Sequence, residues 1–81
     1  INRYIKDPSL AIQEIIKKYQ KEAKKIDRID GVSMEFDLWR FNLRPSNTEP
    51  LVRLNVESKQ DLKLMKKKTN EILELLDNLI N

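Results

Sequence analysis

The sequence predicts a two-layer α+β domain in the order β-α-β-β-β-α. Its sheet is small, mainly antiparallel and four-stranded, with two helices on one face. Three observations lead there. Three central stretches alternate apolar and polar residues, as half-buried strands do. Two flanking stretches repeat apolar residues every three or four positions, as amphipathic helices do. The length, 81 residues, suits one small domain.

The elements follow in order. Ile1 to Ile5 is a short strand candidate. Asp7-Pro8 reads as a helix start, with Asp7 as N-cap and Pro8 in the first turn. Ile12, Ile15, Ile16, Tyr19, Ala23 and Ile26 form that helix's apolar stripe, and Lys17, Lys18, Lys21, Lys24 and Lys25 its basic face. Asp30-Gly31 ends the region in a turn. Val32, Met34 and Phe36 then alternate with Ser33, Glu35 and Asp37. Trp39, Phe41 and Leu43 alternate with Arg40, Asn42 and Arg44. The tip between them, Asp37-Leu38, lacks the glycine that tight primed turns prefer. Val52, Leu54 and Val56 alternate with Arg53, Asn55 and Glu57. Ser58 to Asp61 resembles a capping box. Leu62, Met65, Thr69, Ile72, Leu76 and Leu79 trace a second long helix. Both stripes cover one sheet face, which leaves Arg40, Asn42, Arg44, Arg53, Asn55 and Glu57 on the other.

Composition excludes several chemistries. There is no cysteine and no histidine, hence no disulfide, thiol nucleophile or imidazole base, and no common zinc site. The absence of cysteine suits a cytoplasmic protein. The net charge is +3 with 36% charged residues, so both signs are plentiful. No apolar run approaches the roughly 20 residues of a membrane span, and no signal peptide is visible. The sequence opens on Ile1 rather than Met, as expected of a piece of a longer polypeptide.

One stretch holds more chemistry than a turn needs. Arg44-Pro45-Ser46-Asn47-Thr48-Glu49-Pro50 lies between two strands. A phosphate monoester carries close to two negative charges and offers three strong acceptors. Arg44 supplies a planar fork of donors for it. Ser46 and Thr48 supply hydroxyls. Asn47 supplies an amide and tolerates the left-handed backbone that turns consecutive N–H groups inward. The prolines stiffen the loop and keep Arg44 extended, which lowers the entropy lost on binding. Glu49 repels phosphate, so its expected role is support: holding Arg44 or Arg53, or accepting loop N–H bonds. The bland alternative is an ordinary surface loop, since serine, asparagine, threonine and proline are common loop residues.

That seven-residue string resembles the phosphate-binding loop in the fourth, C-terminal domain of the α-D-phosphohexomutases. The resemblance runs through Ile1-Asn2, Asp30-Gly31-Val32, Trp39 to Leu43 and Leu51 to Glu57, essentially the whole chain. Asn47 after the loop serine is similar to the phosphomannomutase/phosphoglucomutase branch; phosphoglucosamine mutases typically have glycine there. The resemblance implies a fold like one repeat of the TATA-binding protein. It implies a parent enzyme that moves a phosphoryl group between the 6- and 1-positions of a hexose through a bisphosphorylated intermediate. The phosphoserine, the Mg²⁺-binding aspartate loop and the sugar loop of that family have no counterpart here. This chain is then expected to hold the phosphate not being transferred, through Arg44, Ser46, Asn47 and Thr48, with Arg53 a weaker match. The implied partners are a mannose or glucose phosphate and the parent's other domains. Catalytic residues, metal ligands and cofactors are not expected in this chain, which should be inactive alone.

Two rival readings use other residues. A nucleic-acid module would use the basic helix face, Lys66-Lys67-Lys68, and Arg40 with Trp39. Acidic residues interrupt that charge, however, and Trp39 shares parity with core candidates. An adaptor would use the near-heptad stripe from Leu62 to Leu79, but the three strands need that stripe as their own cover.

Overall fold

A computed structural model describes residues 1–79. The elements are β1 (Asn2–Tyr4), α1 (Pro8–Tyr19), β2 (Lys25–Asp27), β3 (Val32–Glu35), β4 (Trp39–Pro45), β5 (Leu51–Ser58) and α2 (Leu62–Asn78). The sheet order is β1-β5-β4-β3-β2, and every neighbouring pair is antiparallel. Both helices cover one face, α1 against β4 and α2 against β5. The α+β class and the helix layer agree with the sequence reading, but the sheet has five strands rather than four.

The extra strand lies where a helix was expected. Asp7 caps α1 as predicted, its carboxylate accepting from the Leu10 N–H at 3.1 Å. The helix then stops at Tyr19, before Ala23 and Ile26. Lys21-Glu22-Ala23-Lys24-Lys25 is a string of good helix formers, so propensity favours continuation. Tertiary pairing overrides it. Lys25, Ile26 and Asp27 pair with Glu35, Met34 and Ser33, and the Lys24 N–H donates to the Glu35 carbonyl at 2.8 Å. The strand gives these backbone groups partners and protects the outer edge of β3. Of the five lysines expected on one helix face, only Lys17 and Lys18 lie on α1.

Core packing follows the alternation. Val32, Met34, Trp39, Phe41, Leu43, Val52 and Leu54 face the helices and are buried, as are Ile15, Tyr19, Ile72 and Leu76 opposite them. The tip between β3 and β4 has no positive-φ residue. It closes through the Phe36 N–H donating to the Trp39 carbonyl at 2.8 Å. The Phe36 and Trp39 rings stack across it, 4.2 Å apart and within 3° of parallel. Aromatic packing thus holds a turn that lacks glycine. Tyr19 meets Trp39 edge-on at 5.7 Å, and its hydroxyl donates to Glu71 Oε1 at 2.5 Å. This bond ties α1 to α2. Burial, reinforced by the hydrogen bond to Glu71, pushes the Tyr19 phenol well above its usual range.

The start of α2 differs from a capping box. The N-cap is Asp61, whose carboxylate accepts from the Leu64 N–H at 2.9 Å. The Ser58 hydroxyl instead donates to the Asp61 carbonyl. Gln60, at φ 52, turns the chain between them. Leu62 is consequently exposed, while Ile72 and Leu76 carry the buried part of the stripe.

Candidate functional site

The loop between β4 and β5 forms one end of the sheet's uncovered face. Asp30, Arg44, Pro45, Ser46, Asn47, Thr48 and Arg53 line a concave surface of about 330 Å³. Four sequence-predicted residues and the weaker candidate Arg53 therefore meet around one depression.

The strands place its cations. Arg44 on β4 and Arg53 on β5 are direct cross-strand partners, and both are exposed. Like charges placed opposite each other are destabilising by up to about 1 kcal/mol. An anion between or beside them reverses that cost. One carboxylate already contributes: Asp30 Oδ2 lies 3.5 Å from Arg44 Nη1. Two guanidinium groups and one carboxylate leave the depression with an excess positive charge.

Gly31 brings Asp30 there. Its φ is +71, a left-handed conformation that suits glycine. A Cβ at this position would lie 2.3 Å from the Leu43 carbonyl oxygen and 2.6 Å from the Arg44 Cα. The turn before β3 therefore presses directly on the backbone that carries Arg44. Sequence reading marked Asp30-Gly31 as a turn and missed this role. The Asp-Gly pair was the available signal, but its neighbour depends on the register of β3 against β4.

The loop is organised by Ser46. Its N–H donates to the Leu51 carbonyl at 3.0 Å, closing the hairpin. Its Oγ accepts from the N–H groups of Thr48 and Glu49, both at 3.3 Å. It also lies 3.4 Å from Thr48 Oγ1. These are long contacts at the weak end of hydrogen bonding. Asn47 corrects the expected backbone: its φ is not positive. The amides of Thr48 and Glu49 turn to the Ser46 hydroxyl instead of forming a left-handed anion nest. The donors that the depression offers are therefore on side chains: both guanidinium groups, the Asn47 amide and the two hydroxyls.

Glu49 departs from the expected contacts: among the described residues its carboxylate pairs with neither Arg44 nor Arg53 and accepts no loop N–H, but meets a partner on another strand. Its Oε2 accepts from the Tyr4 hydroxyl at 3.2 Å. The next residue, Pro50, accepts from the Ile5 N–H at 2.8 Å. Together these tie the far side of the loop to the edge strand. Leu51 has the parity of the uncovered face yet is buried, opposite Tyr4 on β1. An apolar foot thus anchors a polar loop.

The chain matches the family model described as phosphoglucomutase/phosphomannomutase, C-terminal domain, over residues 1–75. It belongs to that family as its C-terminal domain. The domain is similar to a phosphomannomutase of Escherichia coli, with 55% identity over 76 residues, 94% of this chain and 17% of the relative. It is 53% identical to a phosphomannomutase of Salmonella montevideo over 78 residues, covering 96% of this chain and 17% of the relative. A phosphomannomutase of Methanocaldococcus jannaschii is 47% identical over 79 residues, covering 98% and 17%. The domain thus spans less than a fifth of the length of these curated relatives.

Outside the loop, the described residues offer less. No group of three or more His, Cys, Asp or Glu side chains among them could hold a metal ion. No helix among them is long and apolar enough to cross a membrane. The basic surface is partly neutralised within the domain. Lys17 pairs with Glu14 and Lys24 with Asp37. Lys68 pairs with Glu71 and lies over the Trp39 ring. Trp39 is buried and so presents no stacking platform of the kind single strands use.

Proposed function

We propose that this domain holds the substrate phosphate that is not being transferred, within a phosphomannomutase or phosphoglucomutase acting on hexose 6- and 1-phosphates. The observation that carries the reading is the convergence of Arg44, Arg53, Ser46, Asn47 and Thr48 on one concave surface. The guanidinium groups supply charge and paired donors. The hydroxyls and the Asn47 amide supply the remaining hydrogen bonds.

The reaction passes through a bisphosphorylated intermediate that must turn end for end. One site must then accept either phosphate, and a loop that grips phosphate rather than a sugar face meets that need. Binding energy from the remote phosphate orients the reacting end. Phosphoryl transfer depends on such positioning and on charge stabilisation. The phosphoserine and Mg²⁺ belong to other domains in this reading, so the domain performs no chemistry by itself.

A titration of the ¹⁵N-labelled domain with mannose 6-phosphate tests the site. Saturable amide shifts are expected at residues 44–48 and at Arg53. Arg44→Ala should abolish them, and Lys67→Ala should leave them unchanged. Shifts centred elsewhere, or none, refute the site. Turnover by these 81 residues in a coupled mutase assay would refute the supporting role.

A further inference from the structure

The outer edge of β5 is only half used. β1 pairs with Leu51, Val52 and Arg53. The ladder then ends on one more pair: the Ile1 nitrogen donates to the Leu54 carbonyl at 3.0 Å, and the Leu54 N–H donates to the Ile1 carbonyl at 2.8 Å. In an antiparallel ladder such mutual bonding recurs at every second residue. The backbone groups of Val56 and Ser58 therefore point to the same side as those of Leu54, away from β4 and beyond the end of β1.

Beside this open edge runs a groove of about 440 Å³. Ile1, Leu54, Val56, Met65, Lys66 and Thr69 help line it. Its floor is mostly apolar, and the Thr69 hydroxyl is already satisfied by the Met65 carbonyl at 2.7 Å. A buried extended segment would satisfy both features, giving its backbone to Val56 and an apolar side chain to the groove.

We infer that the polypeptide leading into Ile1 in the longer chain is that segment, extending β1 along β5. Register and direction support this occupant. The observed pairs continue without a shift, so the residue immediately before Ile1 falls opposite Asn55. The residue two before Ile1 falls opposite Val56. The latter shares the parity of Ile1 and Arg3. Arg3 pairs with Asp77 of α2, so this parity faces the helix layer and the groove. The matched relatives are far longer than this domain, which spans 17% of their length, and the match is to a C-terminal domain. Chain is therefore available on that side, already joined to the end of the ladder. The Ile1 nitrogen already donates as a strand amide would. The domain would thus be attached to its parent by a continuous strand rather than a loose tether.

The test compares amide exchange and cross-strand NOEs in two chains. One is the 81-residue domain; the other carries the residues that lead into Ile1 in its full-length polypeptide. In the extended chain the Val56 amide should exchange at least roughly tenfold more slowly. An Hα–Hα NOE should join Asn55 to the residue before Ile1, because these two form a close, non-hydrogen-bonded pair. Proline placed two residues before Ile1 should remove the Val56 protection. The Leu54 amide, protected in every variant, controls for folding. Equal Val56 exchange in both chains, with Leu54 still protected, overturns the proposal. Protection that appears in the 81-residue chain only at high concentration assigns the edge to a second copy and also overturns it.

Discussion

Gly31→Ala should destabilise this domain far more than a loop substitution usually does. Two independent costs apply. An alanine at φ +71 pays about 1–2 kcal/mol for the left-handed conformation. Its Cβ also meets the Leu43 carbonyl oxygen at 2.3 Å and the Arg44 Cα at 2.6 Å. Those atoms are backbone, so no rotamer change relieves the contact. The β3 turn must move off β4, and overpacking of this kind costs roughly 1–3 kcal/mol. Together the loss is about 2–5 kcal/mol, against the 5–15 kcal/mol typical of whole domains. Urea unfolding followed by tryptophan fluorescence measures it through Trp39. With a slope near 1 kcal/mol/M for a small protein, the midpoint should fall by about 2 M or more. Gly31→Asn separates the two costs. Asparagine tolerates the left-handed backbone but keeps the Cβ, so it should still lose roughly 1–3 kcal/mol. A loss below about 1 kcal/mol for alanine would refute the close-approach argument. Full recovery with asparagine would show that only φ matters.

Other outcomes follow from the same contacts. Asp61→Ala removes the N-cap of α2 and should cost about 1 kcal/mol by urea unfolding. Ile72→Ala opens a hole in a fully buried part of the α2 stripe and should cost about 2–5 kcal/mol. Tyr19 stays protonated in the fold well above the pH at which the unfolded chain, near 10, loses its phenolic proton. Its contribution is therefore fully present below about pH 10 and falls as pH rises further, by at most about 1.4 kcal/mol per pH unit. Tyr19→Phe should flatten this part of the stability–pH curve; an unchanged alkaline slope would refute the assignment.

What the sequence disclosed depended on how local each cause was. The alternation of β3, β4 and β5 is local, because each strand has one wet face and one dry face. Asp7-Pro8 is equally local, since the cap reaches only to Leu10. β2 was hidden because its cause is distant. Lys24 to Asp27 gains its partners from β3, across a turn that depends on Gly31, while the residues before it favour helix. The displaced start of α2 has a similar origin: Ser58 closes β5 against Trp39, so capping passes to Asp61.

The candidate site divides along the same line. Arg44, Ser46, Asn47 and Thr48 are contiguous in sequence, so their meeting around one depression was legible. Asp30 and Tyr4 were not, because each reaches the loop from another strand's end. Their roles differ in physical kind. Tyr4 and the Ile5 amide hold the Glu49-Pro50 side of the loop, and thereby limit its freedom. Asp30 pairs electrostatically with Arg44, 3.5 Å from its Nη1. In the proposed function, a bound phosphate would share or replace that contact. The pair is exposed, so the contact is worth at most about 1 kcal/mol. Asp30 can therefore orient Arg44 without holding it tightly, which is the balance that the proposed phosphate-gripping role would require.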